Sequence, residues 1–222
     1  MSEVIWNAVD EYITGKLIPN DADLTTAQTR ADQAGLPEIQ VAPNQGQLLA
    51  IMAHSTQAQS ILEIGTLGGY STIWLAKTLP PSGKLITLEY DPKHARVAQE
   101  NIDRAGLADK VEIRVGRAVD SLPQIASEGL TPFDFIFIDA DKDNSDVYFD
   151  WALKLSRVGT LIITDNVVRN GEITNPNTED GRVRGIQRLF DRMANEPRIL
   201  STAVQTVGSK GYDGLAVALV IA

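Results

Sequence analysis

The chain has 222 residues, with 20 Lys+Arg against 29 Asp+Glu, a formal charge of −9, two histidines and no cysteine. Without cysteine there is no disulfide scaffold, thiolate zinc site, iron–sulfur cluster or cysteine nucleophile. The acidic balance gives no general basic footprint for a nucleic-acid backbone, and 43% hydrophobic with 22% charged residues is the composition of a folded globule.

The first dozen residues carry Glu3, Asp10 and Glu11 and lack the basic region and apolar run of a leader. No apolar stretch approaches the ~20 residues needed to span a bilayer. The expectation is a cytoplasmic protein with no membrane partner, built as one domain over residues 1–222. Residues 1–56 read as a helical cover and 57–222 as the core. In the cover, Ile5, Ala8, Val9 and Tyr12 share one helical face, and a further helix spans Gln45 to His54.

From there short β-branched runs recur: Ser60–Ile64, Lys84–Glu89, Lys110–Val115, Phe133–Asp139 and Thr160–Asp165. Each is nearly continuous in apolar residues, as in strands buried on both faces. Helical stripes lie between them, Ala95, Ala98, Ile102 and Ala105 in one, Tyr148, Trp151, Ala152 and Leu155 in another. Pro92 and Gly106 mark the ends of the first. Strand and helix in alternation predict an α/β fold, a parallel sheet with right-handed crossovers and helices on both faces. Ile186, Leu189, Phe190 and Met193 keep a helical period that marks core or interface. The tail departs from the alternation. Ile199–Val207 and Leu215–Ile221 have no helix between them and predict an antiparallel hairpin joined through Gly208–Gly214.

Three places carry chemistry. In Ile61-Leu-Glu-Ile-Gly-Thr-Leu-Gly-Gly-Tyr-Ser71 a strand runs into a glycine-rich turn and then a helix. Glycine permits positive φ and close approach of a ligand. The spacing Gly65, Gly68, Gly69 is not that of a dinucleotide fold, where Leu67 would be the second glycine. Glu89 ends the second strand, where a carboxylate accepts hydrogen bonds from ribose hydroxyls, while Asp91 is the better helix cap. Asp139 ends the fourth strand, and Asp165 with Asn166 ends the fifth. These are three hard oxygen ligands suited to Mg²⁺, with Mn²⁺ or Ca²⁺ as alternatives. His54 is expected beside the core and His94 in solvent. The polar loop Arg169–Arg184 follows a candidate catalytic strand, which makes Arg169 and Asn170 candidates for contact with a substrate.

The glycine-turn run, Glu89, the Gly116-Arg-Ala118 turn, the Asp139-Ala-Asp-Lys-Asp-Asn144 run and the Thr164-Asp-Asn166 run together resemble the cation-dependent class I O-methyltransferases, the group of the caffeoyl-CoA and catechol enzymes. The likeness covers nearly the whole chain in motif order. It implies a Rossmann-like seven-stranded sheet of order 3-2-1-4-5-7-6 with strand 7 antiparallel. By resemblance, Gly65 and Ser71 contact S-adenosylmethionine, Glu63 supports the same turn, Glu89 holds the ribose and Ala118 lies beside the adenine. Val41 matches a further cofactor contact. Asp139, Asp165 and Asn166 match metal ligands, Asp139 is also a catalytic and cofactor-contact candidate, and Lys142 matches a general base; Lys142 and Asn166, with Arg169 and Asn170 of the loop, are the candidates for contact with the acceptor. The resemblance implies methyl transfer to one hydroxyl of a vicinal dihydroxyaromatic of catechol, caffeoyl or flavonoid type, with S-adenosylhomocysteine as product, in a homodimer. The alternatives are a tRNA hydroxyuridine O-methyltransferase, against which the charge argues, and an NAD-dependent oxidoreductase, against which the glycine spacing argues.

Overall fold

A computed structural model describes residues 3–222. Three helices, α1 (Glu3–Leu17), α2 (Ala22–Gln33) and α3 (Pro43–Ser55), precede the sheet. The alternating part runs β1 (Ser60–Ile64), α4 (Tyr70–Ala76), β2 (Lys84–Glu89), α5 (Pro92–Arg104), β3 (Val111–Val115), α6 (Ala118–Ser127), β4 (Phe133–Ile138), α7 (Ser145–Lys154) and β5 (Ser156–Asp165). Then come α8 (Gly181–Ala194) and the strands β6 (Ile199–Gly208) and β7 (Gly211–Val220). The sheet order is β3-β2-β1-β4-β5-β7-β6, with β7 antiparallel to both neighbours and the other pairs parallel. This is the expected doubly wound arrangement.

Side-chain alternation explains why the central strands look apolar throughout. On β4, Ile136 and Ile138 join the core under α6, α7 and α8, while Phe135 and Phe137 join the core under α2 to α5. A strand covered on both faces leaves few positions for a polar residue away from its ends, and Glu63 and Thr87, which hydrogen-bond each other, fill two of them. Those ends are where the candidate site residues fall.

Helix boundaries follow capping chemistry. Asp91 accepts the Lys93 N–H at 2.7 Å and Pro92 opens α5, as the sequence predicts. Asp180 accepts the Arg182 N–H at 2.9 Å and starts α8 at Gly181. The predicted loop Arg169–Arg184 is therefore shorter than expected, and Arg169–Thr174 within it forms 3-10 turns. The hairpin is also tighter than predicted. Thr206 pairs with Asp213 and Val207 with Tyr212, so only Ser209 and Lys210 remain between the strands. Gly211, at φ +88°, supplies the left-handed residue the turn needs. Strand β5 begins four residues before the predicted Thr160, because Arg157 to Gly159 are exposed and carry no apolar run to reveal them.

Both histidine expectations are corrected. His54 is exposed on the last turn of α3, not beside the core. The His94 side chain is only 22% exposed, because α5 turns it toward the carboxyl end of β2, where Nδ1 lies 3.5 Å from Glu89 Oε1. Among the described residues no helix is long and apolar enough to cross a membrane.

Candidate active site

The carboxyl ends of β1, β2, β4 and β5 open onto a cavity of about 760 Å³. Its first wall is the turn after β1. Gly65 sits at φ +103°, donates its N–H to Leu88 O at 2.9 Å, and approaches β4 so closely that a Cβ would lie 2.0 Å from the Asp139 carbonyl oxygen. Only glycine fits. Leu67 takes a left-handed φ of +50° where a dinucleotide fold would place glycine, a conformation costing about 1–2 kcal/mol for an L-residue. Its N–H is held by Glu89 Oε2 at 2.7 Å.

Glu89 thus organises the turn as well as the cavity. Oε2 accepts the amides of Thr66 and Leu67, and Oε1 accepts that of Asp91 at 2.9 Å. An ionised carboxylate has about four lone-pair sites. Three are taken by backbone, which leaves one acceptor site on Oε1, the oxygen beside His94. Sequence reading assigns Glu89 to a ligand but gives no sign that its carboxylate also pins Leu67.

Glu63 lies behind the turn and outside the cavity lining, fully buried. It accepts hydroxyls from Ser71 at 2.7 Å, Thr72 at 2.5 Å and Thr87 at 2.7 Å. Burial pushes its carboxyl up to about 7 against these three donors. Its action on a cofactor therefore passes through Ser71, which does line the cavity. A raised pKa means the folded state holds a proton the unfolded state releases. The contribution is full below about 4.5 and is lost as pH rises through about 7. Over that window the wild type should lose roughly 3 kcal/mol through this group, and Glu63→Gln should flatten that part of the stability curve. Urea unfolding at pH 5, 6, 7 and 8 checks it; parallel curves for the two proteins would contradict the assignment.

The second wall is built by β4 and β5. Ile138 is in register with Thr164, so Asp139 and Asp165 leave the sheet side by side. Asp139 still donates its N–H to Ile64 O at 2.8 Å, which fixes its backbone. Lys142 follows in a 3-10 turn and its Nζ donates to Asp139 Oδ1 at 2.8 Å, with the lysine side chain only 8% exposed. Asp165 is buried, accepting Gln45 Nε2 on Oδ2 at 2.8 Å and the Asn166 N–H on Oδ1 at 2.7 Å. Burial and the neighbouring Asp139 charge push its carboxyl up, and Lys142 opposes them. Asn166 is at φ +56°, a left-handed position that asparagine tolerates.

The cavity gathers Val41, Gly65, Ser71, Glu89, Ala118, Asp139, Lys142, Asn166 and Arg169 of the sequence-predicted set. Glu63 and Asp165 stand just behind it, and Asn170 is exposed and outside the lining. Four features have no sequence signal. They are the Gln45 bond, made across 120 residues, the inward His94, the Tyr148 hydroxyl that donates to Asp141, and Gly185 of α8. A Cβ on Gly185 would lie 2.0 Å from Lys142 O, so this glycine lets α8 press against the turn that carries the lysine.

A strand-end carboxylate with a free acceptor site, a glycine turn that admits a ligand, and paired acids at the ends of β4 and β5 match the arrangement expected from the resemblance to class I methyltransferases. The chain belongs to the O-methyltransferase family, whose model matches residues 20–219. It is 51% identical to the catechol O-methyltransferase of Niastella koreensis, over 99% of this chain and 100% of that protein. It is 47% identical to the catechol O-methyltransferase of Mycobacterium tuberculosis, over 96% and 94% of the two chains. The O-methyltransferase from Bacillus cereus, solved with S-adenosylhomocysteine, superposes with a TM-score of 0.97 at 53% identity, covering 99% of this chain and 100% of that one. The protein is therefore an S-adenosylmethionine-dependent O-methyltransferase, and the nicotinamide alternative falls.

Proposed function

We propose that the enzyme methylates one hydroxyl of a vicinal dihydroxyaromatic, a catechol, caffeoyl or flavonoid-type acceptor, with a divalent cation held by Asp139, Asp165 and Asn166. The observation that carries this reading is the juxtaposition of two carboxylates and an amide on adjacent strand ends, beside a lysine that lines the same cavity. Among the described residues no group of three His, Asp or Glu side chains forms a metal cage. The donor set is instead two acids and one amide, all hard oxygens, which fits Mg²⁺ with open positions for acceptor oxygens. The upward push on Asp165 fits as well, since a buried acid beside the half-buried Asp139 calls for a cation. When bound, such an ion supplies electrostatic stabilisation of a phenolate and fixes its direction.

The chain's own residues do the rest. Glu89 Oε1 accepts a ribose hydroxyl at its one open site, and Gly65, Ser71, Val41 and Ala118 shape the cofactor's bed. Lys142 Nζ, in its neutral amine form, takes the proton of the reacting hydroxyl and becomes the ammonium; the hydroxyl's ordinary pKa near ~10 leaves little ionised at neutral pH. Asp139 holds that lysine in place at 2.8 Å. Arg169 meets the acceptor, and the exposed Asn170 stands at the outer edge of that region. Bringing acceptor and methyl donor together supplies up to ~7–11 kcal/mol of the barrier.

Turnover of catechol, caffeate and caffeoyl-CoA should vanish in EDTA and return with Mg²⁺, read as methylated product by mass spectrometry. Equal rates with and without EDTA would remove the cation from the reaction. Lys142→Met is expected to lower kcat by roughly 10²–10⁴ and to change the pH–rate profile, with S-adenosylhomocysteine affinity kept. An unaltered profile would take the base role from Lys142. A second copy of the chain is the proposed partner, supported by Val4, Ile5, Val9 and Tyr12 of α1, each half or more exposed. Light scattering of the eluted protein should give twice the chain mass.

A further inference from the structure

Gln45 sits in the first turn of α3 and does not line the cavity. Like Asp165, it stands just behind the lining. Its amide nonetheless ends on Asp165 Oδ2 at 2.8 Å, while the opposite oxygen takes the Asn166 N–H at 2.7 Å. With one donor on each oxygen the plane of the carboxylate is set, and each oxygen keeps a lone pair.

Gln45 is itself held from far away. Its N–H donates to Asn44 Oδ1 at 2.9 Å, and Asn44 Nδ2 donates to Asp10 Oδ1 at 2.9 Å. Asp10 is buried on α1, and its Oδ2 accepts the Ser209 N–H at 2.7 Å. Gly208 makes this possible, since a Cβ there would lie 2.3 Å from Asp10 Oδ2. A continuous run of hydrogen bonds thus links the β6–β7 turn, α1 and α3 to one carboxylate at the end of β5. The last donor is neutral. A lysine at this point would neutralise Asp165, and a glutamate would add a third negative charge beside Asp139. A glutamine orients the carboxylate and leaves its charge available.

We infer that Gln45 is a positioning residue that fixes Asp165 as a ligand for a divalent cation, braced by Asn44 and Asp10. The inference rests on the cation reading proposed above and adds the residue that holds its buried ligand.

The test uses the full chain and Mn²⁺, titrated calorimetrically in the presence of S-adenosylhomocysteine. Gln45→Met keeps the volume and removes the donor. Mn²⁺ affinity should fall 10–100-fold, S-adenosylhomocysteine affinity should stay within twofold, and raised metal should restore kcat. Gln45→Asn keeps the amide but draws it back by one methylene, and is expected to behave in the same way. It serves as the second variant should Gln45→Met fail to bind S-adenosylhomocysteine. A variant that binds S-adenosylhomocysteine normally and Mn²⁺ within threefold of wild type overturns the inference. Wild-type protein that takes up no Mn²⁺ overturns the cation reading itself, and the inference with it.

Discussion

Asp165→Asn is expected to lower kcat/KM by about 10³ while leaving the fold nearly as stable as wild type. The two effects separate because this carboxylate costs the fold more than it gives. It is buried, Asp139 stands beside it, and its pKa is pushed up. Removing the charge relieves that cost, and Gln45 turns its amide over to accept from the new side chain. Stability at pH 8 should hold within about 1 kcal/mol. The reaction loses an anionic oxygen where a cation would be held, and several kcal/mol of transition-state stabilisation correspond to about three powers of ten in rate. Steady-state kinetics and urea unfolding on the same preparation check both halves. A variant with near-normal kcat/KM would show that Asp165 serves structure alone.

Gly65→Ala should fail in the opposite way, through the scaffold. A Cβ there meets the Asp139 carbonyl at 2.0 Å and its carbon at 2.7 Å, both backbone atoms that cannot swing aside. The residue also stands at φ +103°, where an L side chain is strained regardless of space. Relief requires β1 and β4 to part at the edge where Asp139 and the cofactor turn meet. The expected cost is about 3–5 kcal/mol, near 10 °C in Tm for a chain of this size, with S-adenosylhomocysteine binding weakened more than tenfold. Thermal unfolding with and without S-adenosylhomocysteine reads it. A Tm within 2 °C of wild type would mean that the turn yields more easily than its packing implies.

The sheet is legible in the sequence because its central strands are buried on both faces. Ile61–Ile64 and Phe133–Ile138 stand out as apolar runs that no surface element would carry. Strand ends are legible for the complementary reason: Glu89, Asp139 and Asp165 are the first acids after such runs. Legibility fails where structure comes from the backbone or from distant partners. Of Ser156–Gly159 only Ser156 is in register with β4, and Arg157 to Gly159 are exposed. The reach of β7 back to Gly211 depends on a two-residue turn that polar composition alone does not locate. His94 turns inward because Glu89 is there to meet it, a relation between a helix and the strand before it. Gln45 and Asp165 are 120 positions apart, and nothing local to either announces the other.

The bond between Asp10 and Ser209 joins positions 199 apart and so spans most of the described chain. A contact of this range closes a very long loop and forms late in folding. During synthesis, which proceeds from the N-terminus, Asp10 leaves the ribosome long before its partner exists. The first helix must then wait, its carboxylate hydrated, until the terminal hairpin has emerged. In that interval the segment bearing Asn44 and Gln45 lacks its brace, so a turn translated long afterwards completes the support of a site whose other parts were made earlier.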